Sequence, residues 1–215
     1  MIDNKEIAGL RRNYTLKKLS AKTVDKSPFV QFKIWLNDAL NSSIIEPNAM
    51  SLATCGEDNV PSIRTVLLKG ITDNGFIFYS NYNSKKGTEL EINSNASIHF
   101  FWRELERQIS ISGIVSKLGR GESEEYFNSR PEESRIAAWA SPQSKIIKNR
   151  KEIENNFIRE KEKYSSKTIP MPEFWGGYIL NPLYFEFWQG RENRLHDRIC
   201  YKKNEENWEL FRLAP

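Results

Sequence analysis

The sequence predicts a mainly β chain, an antiparallel barrel or sandwich with peripheral helices. Short β-branched or aromatic runs, AMSLATC, PSIRTVLLKGI, GFIFYSN, ASIHFFW and RQISISGIVSKL, follow one another between residues 49 and 118. The turn-forming stretches GEDN and TDNG separate successive runs, as hairpin connections do. Three more runs, GGYILNPLYFEFW, DRICYKK and WELFRLAP, return after a helical interlude, so distant segments must complete the sheet.

Residues 1–26 are polar and basic with few apolar anchors, and read as a loose N-terminal arm or lid. Residues 27–215 then read as one domain. In SPFVQFKIWLNDAL, Ser27 is placed to cap a helix, Pro28 suits its first turn, and Phe29, Phe32, Leu36 and Leu40 are expected to share a face. In RQISISGIVSKL, Ile109, Ile111 and Val115 alternate with polar residues, as in a strand with one buried face. SKKGTELEIN is a short helix capped by Ser84. GESEEYFNSRPEESRIAAWA is helical but broken at Pro131. KNRKEIENNFIREKEKY is a charged amphipathic helix with Ile153, Phe157 and Lys161 along one side, and KTIPMPEF is an irregular connector. KNEEN is the turn between the last two strands.

Composition narrows the function. The net charge of +4 arises from 32 bases interspersed with 28 acids, which disfavours a nucleic-acid binder. The two cysteines, Cys55 and Cys200, form no CxxC and no His/Cys group, so neither a disulfide framework nor a metal site is expected, and a reducing compartment, the cytoplasm, suits them. No apolar run is long enough to span a membrane. Neither a dinucleotide-binding nor a P-loop glycine pattern occurs. His99 sits within a strand and reads as structural, and His196 is the only other histidine, which leaves little for a Ser-His-Asp triad.

Cations instead gather near turns and strand ends. Arg64 and Lys69 bracket an apolar strand, where they can serve ligand groups or simply snorkel. Lys85 and Lys86 fall in the first turn of a helix, where the dipole repels cations unless an anion lies between them. Tyr126, Arg130 and Ser134, spaced by four, offer a hydroxyl, a guanidinium and a hydroxyl to a phosphate, provided Pro131 leaves the face continuous. Gln143 and Ser144 add neutral donors. FWQGRENRLHDR admits two readings. It is a surface hairpin neutralised by Glu192 and Asp197, or a donor set in which an extended RLHDR points Arg194, His196 and Arg198 the same way. The neighbouring Trp188 and the apolar strand before it favour a site.

In order along the chain, RRNYT, RTVLLK, FYSN, SKK, LERQI, YFNSRPEES, QSK, FWGG, EFWQG, RLHDR and RLAP resemble the pyridoxine/pyridoxamine 5′-phosphate oxidase family. The resemblance implies an FMN-binding split β-barrel, working as a homodimer with one FMN per subunit at the interface. It implies FMN contacts at Arg64, Thr65, Val66, Leu67, Leu68, Lys69, Tyr79, Ser80, Lys85, Lys86, Gln108, Gln143, Ser144, Trp188 and Arg198. Implied substrate contacts are Lys69, Tyr126, Arg130, Ser134, Arg194, Leu195 and His196, with Arg194 and His196 at the reacting ring. Arg11, Arg12, Asn13 and Tyr14 would close over it. Lys85 stands where many relatives carry arginine, and lacks the bidentate fork. The implied activity oxidises pyridoxine and pyridoxamine 5′-phosphates to pyridoxal 5′-phosphate. Hydride passes from C4′ to FMN N5, O2 is reduced to H2O2, and the amine substrate releases ammonia. A phenazine-type substrate on the same fold, or a non-enzymatic flavin-storage or nucleic-acid-binding protein, are the alternatives. The first would have no use for the Tyr126, Arg130 and Ser134 set.

Overall fold

The computed structural model describes residues 3–10, 12–205 and 207–215. The strands are β1 (Ala49–Cys55), β2 (Pro61–Leu67), β3 (Gly70–Ile71), β4 (Phe76–Asn81), β5 (Asn95–Trp102), β6 (Arg107–Lys117), β7 (Trp175–Gln189), β8 (Asp197–Asn204) and β9 (Asn207–Leu213). The helices are α1 (Asn4–Gly9), α2 (Pro28–Leu40), α3 (Lys85–Ile92), α4 (Arg120–Ser129), α5 (Glu132–Ala140) and α6 (Arg150–Lys163). The sheet runs in the order β2-β1-β5-β6-β7-β4-β3, with β8 on β7 and β9 on β8. The pairings β1–β2, β3–β4, β4–β7, β7–β8 and β8–β9 are antiparallel. This is the mainly β class that the sequence predicts.

Contacts divide the chain into two compact units, residues 1–48, 99–111 and 183–215 in the first and 49–98 and 112–182 in the second. The first unit is packed by aromatic rings. Phe32 lies edge-on to Phe100 at 5.2 Å, and Trp35 to Phe187 at 5.2 Å. The Trp102 indole N–H donates to the Pro47 carbonyl. Arg107, buried beside Trp35 at 4.3 Å, donates to Asp38 at 2.7 Å and to Gln189 at 3.1 Å. In the second unit, Met50, Leu52, Phe76, Phe78 and Tyr178 are buried. A separate cluster of Phe127, Ile136, Ile169, Met171 and Trp175 joins the helices to the connector.

Local expectations hold where capping or alternation decides. Ser27 caps α2 by accepting from Val30 N–H, and Ser84 caps α3 by accepting from Gly87 N–H. The helical stretch breaks at Pro131 into α4 and α5, and Ile109, Ile111 and Val115 are buried. Three expectations need correction. The buried stripe of α2 is Pro28, Gln31, Phe32, Trp35 and Ala39, while Leu40 is exposed, because the large Trp35 ring fixes the helix rotation. On α6 the inward position is Glu160, with Lys161 in solvent. The N-terminal arm is not loose throughout. It carries α1, closed by a capping box between Asp3 and Glu6, and it is pinned at Leu19, which is 5% exposed.

Gly113 shows how tightly the strands pack. A Cβ there would lie 2.1 Å from the Asn181 carbonyl oxygen, whereas one at Gly121 would meet nothing within 4 Å. Gly113→Ala should therefore lose about 1–3 kcal/mol through forced overpacking. Gly121→Ala, at the start of α4, should lose nothing, and the midpoints of urea unfolding for the two variants check both.

Candidate functional site

Within the second unit, a cavity of about 380 Å³ is lined by Thr65, Val66, Leu67, Lys69, Tyr79, Ser80, Asn81, Lys86, Tyr126, Arg130, Ala137, Ala138, Ser141, Gln143 and Trp175. Each wall follows from local structure. The end of β2 and the turn after it bring Thr65 to Lys69, and Lys69 N–H is fixed by the Ile77 carbonyl at 2.8 Å. β4 brings Tyr79 and Ser80. The cap at Ser84 starts α3 so that Lys86 turns inward, and Gly87 is needed because a Cβ would lie 2.0 Å from the Tyr82 carbonyl oxygen.

Lys86 is 8% exposed, and its ammonium has neutral hydrogen-bond partners: Ser80 Oγ at 3.2 Å, Gln143 Oε1 at 3.3 Å and Ser84 Oγ at 3.4 Å. Burial, with the Arg64 guanidinium adding to it, holds its pKa below the ordinary value, and Glu89 opposes the shift. Across the cavity, Tyr79 stacks on Tyr126 at 3.8 Å and on Trp175 at 5.5 Å. The Arg130 guanidinium lies 4.7 Å from the Trp175 ring, and its Nη1 is buried without a hydrogen-bond partner. Burial pushes the Arg130 pKa down. An aromatic slab is thus flanked by cations that no carboxylate neutralises among the described residues. Such a wall suits a flat ring bearing an anionic group.

Other expected residues are engaged elsewhere. Arg64 is bound to Glu89 at 3.1 Å and to the Leu52 carbonyl at 3.2 Å, behind the cavity wall. Leu68 is buried, and Lys85 is largely exposed, 3.7 Å from Glu89. Ser134 and Ser144 do not line the cavity. Pro131 separates α4 from α5, which puts Ser134 on a different helix from Tyr126, and Ser144 sits in an exposed turn with φ of 68°. Trp175, Asn81 and Ser141 line the cavity without having been singled out in the sequence. Only the FWGG match pointed to Trp175.

The first unit has its own pocket, of about 840 Å³, lined by Leu10, Arg12, Asn13, Tyr14, Arg191, Asn193, Arg194 and His196. A neighbouring one of about 440 Å³ is lined by Arg12, Tyr14, Arg103, Glu106 and Trp188, among others. RLHDR is not one extended face. Asn193 and Arg194 have φ of 55° and 61° in a 3₁₀ turn, and the strand starts only at Asp197. The turn takes Arg194 out of line with the residues after it, and Arg198 is bidentate to Glu186 at 2.7 and 2.9 Å and donates to the Ala214 carbonyl. His196 lies 4.6 Å from Trp188, and its Nδ1 accepts the Arg191 backbone N–H at 3.1 Å. Burial and the Arg194 charge hold it below its usual pKa, so it is a neutral imidazole with its proton on Nε2. Leu195 is exposed and Gln108 half-buried on β6. Arg11 lies outside the described residues. His99 lies on β5 with Nδ1 2.9 Å from Ser110 Oγ.

Comparison with known proteins places this geometry. Residues 36–163 match the family model described as pyridoxamine 5′-phosphate oxidase, and residues 175–215 match that of the pyridoxine 5′-phosphate oxidase C-terminal dimerisation region. The chain is 48% identical to the pyridoxine/pyridoxamine 5′-phosphate oxidase of Gloeothece citriformis, covering 99% of this chain and 100% of that one. It is 50% identical to the enzyme of Vesicomyosocius okutanii, with coverage of 98% and 99%. Among solved structures, PhzG from Burkholderia lata, in complex with tetrahydrophenazine-1-carboxylic acid, superposes with a TM-score of 0.87 at 30% identity, covering 93% of this chain and 99% of that one.

The buried Lys86 charge generates a prediction. Because its folded pKa lies below the ordinary 10.5, the unfolded chain holds the proton more tightly. The group therefore costs stability at neutral pH, and the cost fades as pH rises through the folded value toward that of the free side chain. Lys86→Met should leave the ligand-free protein melting at the same or a higher temperature at pH 7. Its advantage over the parent should shrink toward pH 10, and paired melting curves across that range check it.

Proposed function

The chain belongs to the pyridoxine/pyridoxamine 5′-phosphate oxidase family, and from that premise we propose that it uses FMN to oxidise pyridoxine and pyridoxamine 5′-phosphates to pyridoxal 5′-phosphate. The observation that carries this reading is the aromatic-walled cavity whose cations, the buried Lys86 and the half-buried Arg130, form no ion pair with a carboxylate among the described residues.

The donor chemistry fits both phosphorylated ligands. Ser80, Lys86 and Gln143 supply hydroxyl, ammonium and amide donors to the flavin phosphate, and Thr65, Val66 and Leu67 wall its ring. Arg64, Leu68, Lys85, Gln108, Ser144, Trp188 and Arg198 complete the proposed FMN set. Lys69, Tyr126, Arg130 and Ser134 hold the substrate phosphate. Arg194, Leu195 and His196 face the pyridine ring, and the Nε2 proton of His196 can be donated to a ring substituent. Arg11, Arg12, Asn13 and Tyr14 cover the ligand. The protein works as a homodimer with FMN at the subunit interface, so different protomers can supply the two residue sets.

The redox chemistry would be supplied by FMN when bound, as an acceptor at N5 for the hydride from C4′ that O2 would reoxidise with formation of H2O2. The chain itself binds, orients and excludes water. Phosphate anchoring away from C4′ is binding energy used for positioning. The alcohol substrate yields the aldehyde directly, and the amine yields an imine that water hydrolyses with release of ammonia.

The likeness to PhzG supports a second reading, in which a phenazine-type precursor replaces the vitamin. A phenazine acid brings one carboxylate, with less charge and fewer acceptor oxygens than a phosphate, so the donor set of Lys69, Tyr126 and Arg130 favours the phosphorylated vitamin. Air-saturated protein mixed with FMN and pyridoxamine 5′-phosphate should form aldehyde and peroxide, and absence of both refutes the proposed reaction. Arg130→Ala should cost about 1.5–3 kcal/mol in kcat/KM for the phosphorylated substrate, through lost charge-assisted bonding. An equal loss on unphosphorylated pyridoxine would remove Arg130 from the phosphate site. Lys86→Met, which spares stability, should weaken FMN binding in a fluorescence titration while leaving riboflavin binding unchanged.

A further inference from the structure

Asp197 lies at the start of β8, next to His196, and is 8% exposed. Three separate segments donate to its carboxylate. The Leu19 backbone N–H, from the arm, reaches Oδ2 at 3.0 Å. Arg191 Nη1, from the turn before His196, reaches Oδ2 at 2.9 Å. Arg212 Nη1, from β9, reaches Oδ1 at 2.7 Å, and Arg212 Nη2 closes the ring by donating to the Leu19 carbonyl at 2.9 Å. All three donors favour the ionised carboxylate, which is held below its ordinary pKa.

What these bonds fix lies in the ligand pocket. Arg191, gripped through its side chain, presents the backbone N–H that occupies His196 Nδ1. The arm, gripped at Leu19, seats the Tyr14 ring over Gly190, where a Cβ would lie 2.7 Å from Tyr14 Cγ, with Trp188 and His196 each 5.8 Å away. A second buried acid holds the same arm further along, since Glu106 Oε2 accepts the Leu16 N–H at 3.1 Å and Oε1 lies 3.8 Å from Arg12. Burying an ion cluster is a poor way to gain stability compared with apolar packing. Its convergence on Tyr14 and His196 gives it another use.

We propose that Asp197 is a positioning residue for substrate binding: by joining Leu19, Arg191 and Arg212 it seats Tyr14 on Gly190 and fixes His196 as the imidazole protonated on Nε2. Its kinetic consequence rests on the oxidase reading above, whereas its effects on the arm and on the His196 tautomer do not.

The test compares the full-length parent with Asp197→Ala and, separately, with the milder Arg212→Gln, which leaves the carboxylate with two of its donors. Trypsin cleavage after Arg12, Lys17 or Lys18 should accelerate about tenfold or more in Asp197→Ala, and in the same direction but less in Arg212→Gln. The ¹⁵N shifts of His196, one of only two histidines, should move from the single Nε2–H tautomer toward a mixture in Asp197→Ala. In flavin-loaded enzyme, KM for pyridoxamine 5′-phosphate should rise about tenfold, with kcat changing less. If the variants only melt earlier, while trypsin rate, tautomer and KM stay at parental values, Asp197 is merely structural and the proposal falls. If Asp197→Ala does not fold, Arg212→Gln decides by its trypsin rate and KM, and parental values for both overturn the proposal. If the parent itself does not oxidise the substrate, the oxidase reading fails, and the trypsin and tautomer results still decide the role of Asp197.

Discussion

The constraint on which this molecule depends is the matching of buried and half-buried charges, acids above all, to partners of opposite sign. Arg64 is paired with Glu89, Arg107 with Asp38, Arg198 with Glu186, and Arg191 and Arg212 share Asp197. In a low-dielectric interior, a guanidinium or ammonium without a counter-charge is costly. Lys86 and Arg130 form no ion pair with a carboxylate among the described residues, and both line the same cavity. The fold tolerates that cost where an anionic ligand would relieve it, as perturbed groups in clefts commonly signal.

The paired cations serve the site at one remove. Glu89 also accepts from Thr54 and Ser62, so Arg64 is held rigidly behind the wall that presents Thr65 to Leu67. Glu186 takes two Arg198 donors and the Ala214 carbonyl a third, which ties the end of the chain to β8. Aromatic packing has the matching role on the apolar side. The parallel rings of Tyr79, Tyr126 and Trp175 are backed by Phe127 at 5.1 Å from Trp175, so the slab is rigid before any ligand arrives.

Much of this was legible in the sequence because it is local. Ser27 and Ser84 cap their helices, Pro131 splits one helix into two, and the alternation of Ile109, Ile111 and Val115 marks a buried face. The rotation of α2 was misjudged because Trp35, which packs on Phe187 from a distant strand, outweighs the leucines. Alternating charges leave RLHDR open between a hairpin and an extended donor face, and the backbone decides by taking a left-handed turn at Asn193 and Arg194.

By itself, the sequence determined the mainly β class, the order of strands and helices along the chain, the caps and breaks, and the set of cations from which an anion site could be drawn. Those features depend on residues a few positions apart. Only the tertiary structure decided which cations are neutralised and which are not, since Arg64 and Glu89, or Asp197 and Leu19, are far apart in sequence and meet only when the sheet and arm are assembled. Local pattern carries no information about such meetings, because charge pairing depends on through-space distance and burial.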